Sequence, residues 1–203
     1  MPDTHDGASV AAASAVLASG ALVVFPTESV YGLGVDAASA DAVDRLLAVR
    51  GREAGKPILV LVSDMAMVRA IAAEIPPAAA RLAARLWPGP LTLVLPARPD
   101  VPEGLTAGTG TIGVRLPGHA TARMLVAALG RPVTAPSANP RGRRPATTVG
   151  EAVAYFGERV GAYIDGGRLG GGASTVVAIE GDRVRVLRGG LVDEATIRRT
   201  LEE

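Results

Sequence analysis

Apolar positions in this chain fall into short blocks of two kinds. Some repeat with a helical period; others are brief continuous runs rich in Val, Ile and Leu, which suit strands buried on both faces. The helical blocks come first. Val10 to Ala18 is an alanine-rich helix, and Asp41 to Val49 sets Val43, Leu46 and Leu47 on one face. Ser63 and Asp64 cap a helix that runs through Ile71. Pro76 and Pro77 open another, whose face carries Leu82, Leu86 and Trp87. Thr121 to Leu129 stops at Gly130, and a last helix spans about Glu194 to Leu201 behind Asp193 as its cap. The strand-like blocks are Ala21 to Phe25, Ile58 to Val62, Leu91 to Leu95, Ile112 to Leu116, Val133 to Ala135, Ala162 to Ile164, Thr175 to Ile179 and Val184 to Leu187.

The two kinds of block alternate without a strict βαβ rhythm. Glu180, Gly181, Asp182 and Arg183 lie between the last two strands as a hairpin signal. The pattern predicts an α/β fold with a mixed sheet and helices packed on it. No internal repeat is evident. Pro136 to Thr148, rich in Pro, Gly, Asn and Arg, reads as a loop over a site and not as an interdomain linker. A length of 203 residues favours one domain spanning 1–203.

Composition narrows the picture further. Apolar residues make up 48% but aromatics only 3%, so the core must be built from Ala, Val, Leu and Ile. There is no cysteine, which excludes disulfides, thiolate nucleophiles and Cys-based zinc sites. The longest purely aliphatic run, Ile58 to Val62, is far too short to cross a membrane, and the polar first eight residues do not form a signal peptide. A cytoplasmic location is expected. The net charge of +1 predicts no strong nonspecific attraction to nucleic acid. Lys56 is the only lysine among 21 basic residues, a pattern that fits a codon bias toward Arg and singles out the one lysine that remains.

Several chemistries are missing from the sequence. There is no G-x-x-x-x-G-K-[ST] phosphate loop, and Gly32-Leu33-Gly34 lacks the rest of a dinucleotide fingerprint. His5 and His119 have no metal-ligand spacing. Gly166, Gly167 and the run Gly170 to Gly172 suit either an anion cradle of backbone N–H groups or a flexible turn.

Five polar segments remain, each at the end of an expected strand. Phe25 to Gly34 (FPTESVYGLG) offers hydroxyls and one carboxylate. Arg50 to Pro57 places Arg50, Arg52 and Lys56 just after a helix. That cluster suits polyphosphate, or equally a helix C-terminus stabilised by cations. Thr109 to Pro117 sets Arg115 in an apolar strand, where it faces either solvent or an anion such as a substrate carboxylate. Ala135 to Pro140 carries Ser137 and Asn139, two residues apart, as donors to an oxygen-rich ligand or as ordinary turn residues. The fifth joins Ser174-Thr175 to Arg188-Gly189-Gly190 across the hairpin. Together these segments are rich in donors and cations. They contain no catalytic nucleophile: there is no Cys and no convincing Ser–His pair. Such a set fits stabilisation of a phosphate-rich transition state by positioning and electrostatics.

In this order, the segments resemble the YrdC-like family. Pro26 to Gly34 (PTESVYGLG) looks like that family's P-T-E-T-V-Y-G-L-G, and Arg50-Gly51-Arg52 stands at its K-x-R. Pro88 to Thr92 looks like its P-G-P-L-T, Gly113 through His119 like G-V-R-x-P-x-H, and Ser137-Ala138-Asn139 like S-x-N. Ser174 to Val177 and Leu187 to Gly190 resemble its closing motifs. The match runs over about residues 10–192.

The resemblance implies a twisted mixed α/β sheet with a basic concave groove. It also implies a reaction. Threonine captures carbonate as a carbamate, which attacks the α-phosphorus of ATP, giving a threonylcarbamoyl adenylate and pyrophosphate. Carried over by position, ATP contacts fall to Arg50, Arg52, Lys56, Thr111, Asn139, Thr147 and Arg188, and threonine contacts to Ser29, Arg115, Ser137 and Ser174. Mg2+ would arrive with the ATP phosphates, the protein itself providing no metal site. A separate transferase complex would take the adenylate to an adenosine of tRNA, with direct tRNA contact not required. The chain departs from the family pattern at Arg50 (usually Lys), Ser29 (usually Thr) and Leu61 (often His). Longer relatives carry an additional C-terminal domain that this chain is expected to lack. The competing readings are a paralogue without synthase activity and a non-enzymatic RNA-binding module using Arg141, Arg143 and Arg144. Six aromatic residues are few for reading RNA sequence.

Overall fold

The structure is a computed structural model that describes residues 7–51, 55–170, 172–181 and 183–202. Its elements, in chain order, are α1 (Gly7–Ala18), β1 (Val23–Pro26), β2 (Tyr31–Gly34), α2 (Ala40–Arg50), β3 (Leu59–Leu61), α3 (Met65–Ile71), α4 (Pro77–Leu86), β4 (Leu91–Pro96), α5 (Glu103–Thr106), β5 (Thr111–Arg115), α6 (Ala120–Leu129), β6 (Val133–Thr134), α7 (Val149–Phe156), β7 (Ala162–Tyr163), β8 (Thr175–Glu180), β9 (Arg183–Arg188) and α8 (Glu194–Glu202). Helix ends follow local chemistry. The Asp64 side chain accepts from Met67 N–H at 2.9 Å, and Asp193 from Thr196 N–H at 2.6 Å. Gly130 closes α6 at a φ of 68°, which a side chain would resist.

The mixed α/β fold expected from the sequence is borne out, with its strands divided into two hydrogen-bonded sets. One has the order β2-β1-β7, the other β6-β3-β5-β4-β8-β9, and both mix parallel and antiparallel pairs. They join where β2 runs into β6. Thr134 N donates to Val35 O at 3.0 Å, Val35 N donates to the Thr134 hydroxyl at 2.9 Å, and an isolated bridge pairs Asp36 with Val133.

Three elements differ from the sequence reading. Tyr31 to Gly34, which the sequence places in a polar segment at a strand end, is strand β2. Its glycines are there for packing: a Cβ on Gly34 would meet the Phe25 ring at 2.7 Å and Val133 at 2.9 Å. Helix α7 was not expected, because Val and Gly begin it. The missed signal was a capping box, with Thr148 and Glu151 bonding each other's backbone N–H groups. The third is the single turn α5, too short for periodicity to reveal.

Two apolar clusters form the core. The larger covers one face of the six-stranded sheet: Leu91, Leu93, Leu95, Ile112, Val114, Val177 and Ile179 meet Val43, Leu46, Leu82 and Ile197 from the helices. The smaller packs α1 and α6 around Val23, Phe25, Leu61 and Val133. As expected from the composition, the cores are mostly Ala, Val, Leu and Ile.

Candidate active site

Strand register determines what the other face of the six-stranded sheet presents. Directly paired residues share a face, as do alternate residues along a strand. The pairs Pro96–Thr111, Val94–Gly113, Thr92–Val176, Val94–Ala178 and Val176–Arg188 therefore place Thr111, Gly113, Arg115, Thr92, Val94, Val176 and Arg188 on one face. Val94 and Val176 are only half-buried and belong to neither apolar cluster, whereas Leu61, which pairs with Arg115 at the β3 side of this face, joins the smaller cluster.

A β-bulge aims Arg188 onto this face. Val176 pairs with Arg188, but the next residue, Val177, pairs with Val186, leaving Leu187 as the extra residue. Without it, alternation would send Arg188 to the face opposite Arg183 and Arg185. Once turned, the guanidinium donates through Nε and Nη2 to Ser174 O at 3.2 and 2.9 Å, and through Nη2 to the Ser174 hydroxyl at 3.1 Å. The Ser174 and Thr92 hydroxyls lie 3.1 Å apart.

Gly190 makes this arrangement possible. A Cβ there would collide with Ala173 O and would lie 2.5 Å from the Ser174 carbonyl carbon. Gly190→Ala must push the β9 exit away from Ala173–Ser174. The expected result is a melting temperature lower by roughly 2–12 °C, the range for overpacking in a domain this size, together with lost activity. An unchanged melting curve would show that the two segments part freely.

Arg115 ends β5 and is 2% exposed. It does not face solvent, which removes one of the two alternatives the sequence left open. Its Nη2 donates to Glu28 Oε2 at 3.1 Å, and its Nε–H is buried with no hydrogen-bond partner. Burial holds its pKa below the usual arginine value. Glu28 opposes that shift and the nearby Arg188 adds to it. Glu28 Oε1 accepts from Gly118 N–H at 2.6 Å, and Arg123 Nη1 donates to Pro117 O and Gly118 O, bracing that corner. Glu28 is the residue that sequence reasoning passed over. Its segment was noted for one carboxylate, but no local pattern says that the carboxylate meets a strand 87 residues away.

The β1–β2 connection also carries Ser29, which is buried and 3.3 Å from the Thr27 hydroxyl. Tyr31 follows it. Its hydroxyl donates to Gly167 O and accepts from Gly166 N–H, both at 2.8 Å, and burial pushes its pKa up to about 12. The Gly167 N–H in turn donates to Asp165. These two glycine N–H groups are thus spent on the protein's own side chains, which argues against a cradle at Gly166–Gly167.

A second cluster lies around the Pro136–Thr148 loop. The Ser137 hydroxyl donates to Asn139 Oδ1 at 2.5 Å, and the Asn139 amide donates to Pro140 O and Arg143 O, both at 2.9 Å. Arg50 Nε reaches Ser137 O at 3.4 Å, and Arg141 N donates to Arg50 O at 2.9 Å. Thr147 bonds the capping-box carboxylate of Glu151. Thr111 bonds Thr109 at 2.9 Å at the far end of β5, about 13 Å from Arg115 by strand rise. Lys56 is exposed just before β3, and Arg52 lies outside the described residues.

The residues therefore group by place and not by assigned ligand. Arg188, carried over as an ATP contact, sits with Ser174 and Arg115; Ser137, carried over as a threonine contact, sits with Asn139 and Arg50. Leu61 is fully buried in the smaller core cluster beside α6.

The Sua5/YciO/YrdC family model, described as telomere recombination, matches residues 15–190, and this chain belongs to that family. Among its relatives, a threonylcarbamoyl-AMP synthase of Pyrococcus abyssi is 39% identical over 181 residues, which is 88% of this chain and 53% of the relative. One from Halorhodospira halophila is 41% identical over 159 residues, covering 78% and 83%. The structure of P. abyssi Sua5 complexed with L-threonine superposes with a TM-score of 0.92 at 37% identity, over 96% of this chain and 58% of that one. The chain thus spans about half the length of the Pyrococcus relative.

Proposed function

We propose that this chain is a nucleotidyltransferase that condenses L-threonine, bicarbonate and ATP into threonylcarbamoyl-AMP, pyrophosphate and water, for later transfer of the threonylcarbamoyl group to tRNA by a separate complex. The observation that carries the reading is the buried guanidinium of Arg115, with an unsatisfied Nε–H, at one end of a sheet face that also presents Arg188 and several hydroxyls. A buried, unpaired donor on a cation is costly, and a substrate carboxylate satisfies it. The relatives' names and the threonine complex of the Pyrococcus protein support the same assignment.

In this reading, Arg115 takes the threonine carboxylate, while Ser29, Ser137 and Ser174 are the hydroxyls available to the substrate's polar groups. The nucleotide extends from Arg188 toward Thr111, Asn139, Thr147, Arg50 and Lys56, and the family resemblance adds Arg52, which lies outside the described residues. Mg2+ comes as the ATP complex: among the described residues no group of three or more His, Asp or Glu could hold a metal ion, and Mg2+ commonly relies on substrate phosphates. The protein's part is to hold carbamate oxygen and α-phosphorus in line and to spread positive charge over the phosphates. Among the described residues, no helix is long and apolar enough to cross a membrane.

Pyrophosphate release tests the proposal when threonine and bicarbonate are omitted in turn. Release is expected only with both present. Serine should serve as a poorer substrate, because a missing methyl group gives only about 10–200-fold discrimination. ATP turnover to ADP and phosphate, indifferent to threonine, would reject it.

A further inference from the structure

We infer that Glu28 is a positioning residue for amino-acid binding: it fixes the Arg115 guanidinium so that the free Nε–H edge is presented to the substrate carboxylate. The inference rests on the proposed threonine site and adds a residue and a task to it.

An arginine side chain is long, and its fork recognises a carboxylate well only when its plane is held. Arg115 is buried at the end of β5, and Glu28 is the partner that holds it, through Nη2 at 3.1 Å. That contact leaves the Nε–H without a hydrogen bond. Glu28 is itself fixed. Its other oxygen accepts from Gly118 N–H at 2.6 Å, and Gly118 O is tied to Arg123 at 2.6 Å. A chain of contacts thus runs from α6 through the Pro117–Gly118 corner to Glu28 and on to the fork. Glu28 retains 17% side-chain exposure, so it stands at the margin of the site and not in the core.

Charge points the same way. Burial lowers the pKa of Arg115, the nearby Glu28 carboxylate opposes that shift, and the charge of Arg188 adds to it. The Glu28 carboxylate therefore balances the buried Arg115 charge in the free protein and leaves the more exposed Arg188 unopposed by it. Orientation and charge are separable, because aspartate keeps the charge but is one methylene too short to span both Gly118 N and Arg115.

The experiment measures pyrophosphate release in the wild type, Glu28→Gln and Glu28→Asp, varying threonine and ATP separately, with a melting curve for each. Both variants are expected to raise the threonine KM by about ten- to a hundredfold, as for a lost charge-assisted hydrogen bond. The ATP KM and kcat should stay within about threefold, the signature of lost ground-state binding. Combined with Arg115→Lys, Glu28→Gln should add little further loss, since both act through one fork. Glu28→Asp carries the test if Glu28→Gln does not fold. A wild-type threonine KM in Glu28→Asp would overturn the positioning role and leave only charge balance. Additive losses in the double variant, or threonine and ATP weakened alike, would overturn it as well. If the wild type itself needs no threonine, the proposed function fails first, and the inference falls with it.

Discussion

Replacing Arg115 with alanine is expected to raise the threonine requirement by about ten- to a hundredfold, with the ATP requirement changed much less. The magnitude is that of one lost charge-assisted hydrogen bond, about 1.5–3 kcal/mol. A second consequence comes from Glu28. Its carboxylate loses the guanidinium that it faces at 3.1 Å and keeps only the Gly118 N–H and slight solvent contact. Breaking one side of a buried pair costs about 3–5 kcal/mol, and the partial exposure of Glu28 places this case at or below the lower end. A lower melting temperature should therefore accompany the kinetic defect. Arg115→Lys should keep much of the stability while losing the fork geometry, so its defect is mainly in threonine KM. Steady-state kinetics with each substrate varied, beside melting curves, separate the two effects. An unchanged threonine KM in a folded Arg115→Ala protein would leave Arg115 a structural residue of β5.

The second large effect is expected at Gly113. It lies between Thr111 and Arg115 on the sheet face that carries the candidate site, and glycine within a strand marks a close approach of another group. The fold does not require it. A Cβ there meets Thr92 Cγ2 at 3.4 Å and the Leu59 Cα at 3.7 Å, both ordinary contacts. Valine also suits a strand better than glycine does. Gly113→Val is therefore expected to fold, with some loss of melting temperature because its γ-carbons reach past the Cβ position beside Thr92 and Leu59, yet to lose about a hundredfold or more in kcat/KM, because the side chain fills space that the proposed ligands need. Contrast with Gly190→Ala makes the pair informative: Gly113 accepts a Cβ at ordinary contact distances, whereas Gly190 is pressed against the Ala173–Ser174 backbone. A Gly113→Val protein that is fully active would move the ligand path off this face.

Much of the fold was legible from the sequence because local chemistry and tertiary structure agree. The caps at Asp64 and Asp193 and the stop at Gly130 each follow from one side chain or one backbone angle. The hairpin of β8 and β9 follows from a turn sequence between two Val-rich runs. What escaped depends on contacts between distant segments. Strand β2 has no apolar run to mark it because its glycines are selected by the Phe25 ring and Val133. The site was legible as a set of segments, and the order of those segments pointed to the family, but the grouping inside it was not. The Leu187 bulge that turns Arg188 onto the site face, and the meeting of Glu28 with Arg115, arise from register and loop path. Arg188 was placed with the nucleotide and Ser137 with the amino acid by resemblance alone. The structure sets Arg188 against Ser174 and Ser137 against Asn139, pairings that cut across the two assigned ligand sets.

The central claim is that amino acid, bicarbonate carbon and AMP are joined on this face. Mass spectrometry of the nucleotide product formed from ATP, threonine and 13C-labelled bicarbonate tests that claim most directly. The predicted result is one AMP-linked product that carries both threonine and the labelled carbon, formed in equal amount with pyrophosphate and much reduced in Arg115→Ala. Unlabelled AMP, or ADP with phosphate, as the only nucleotide product would contradict it.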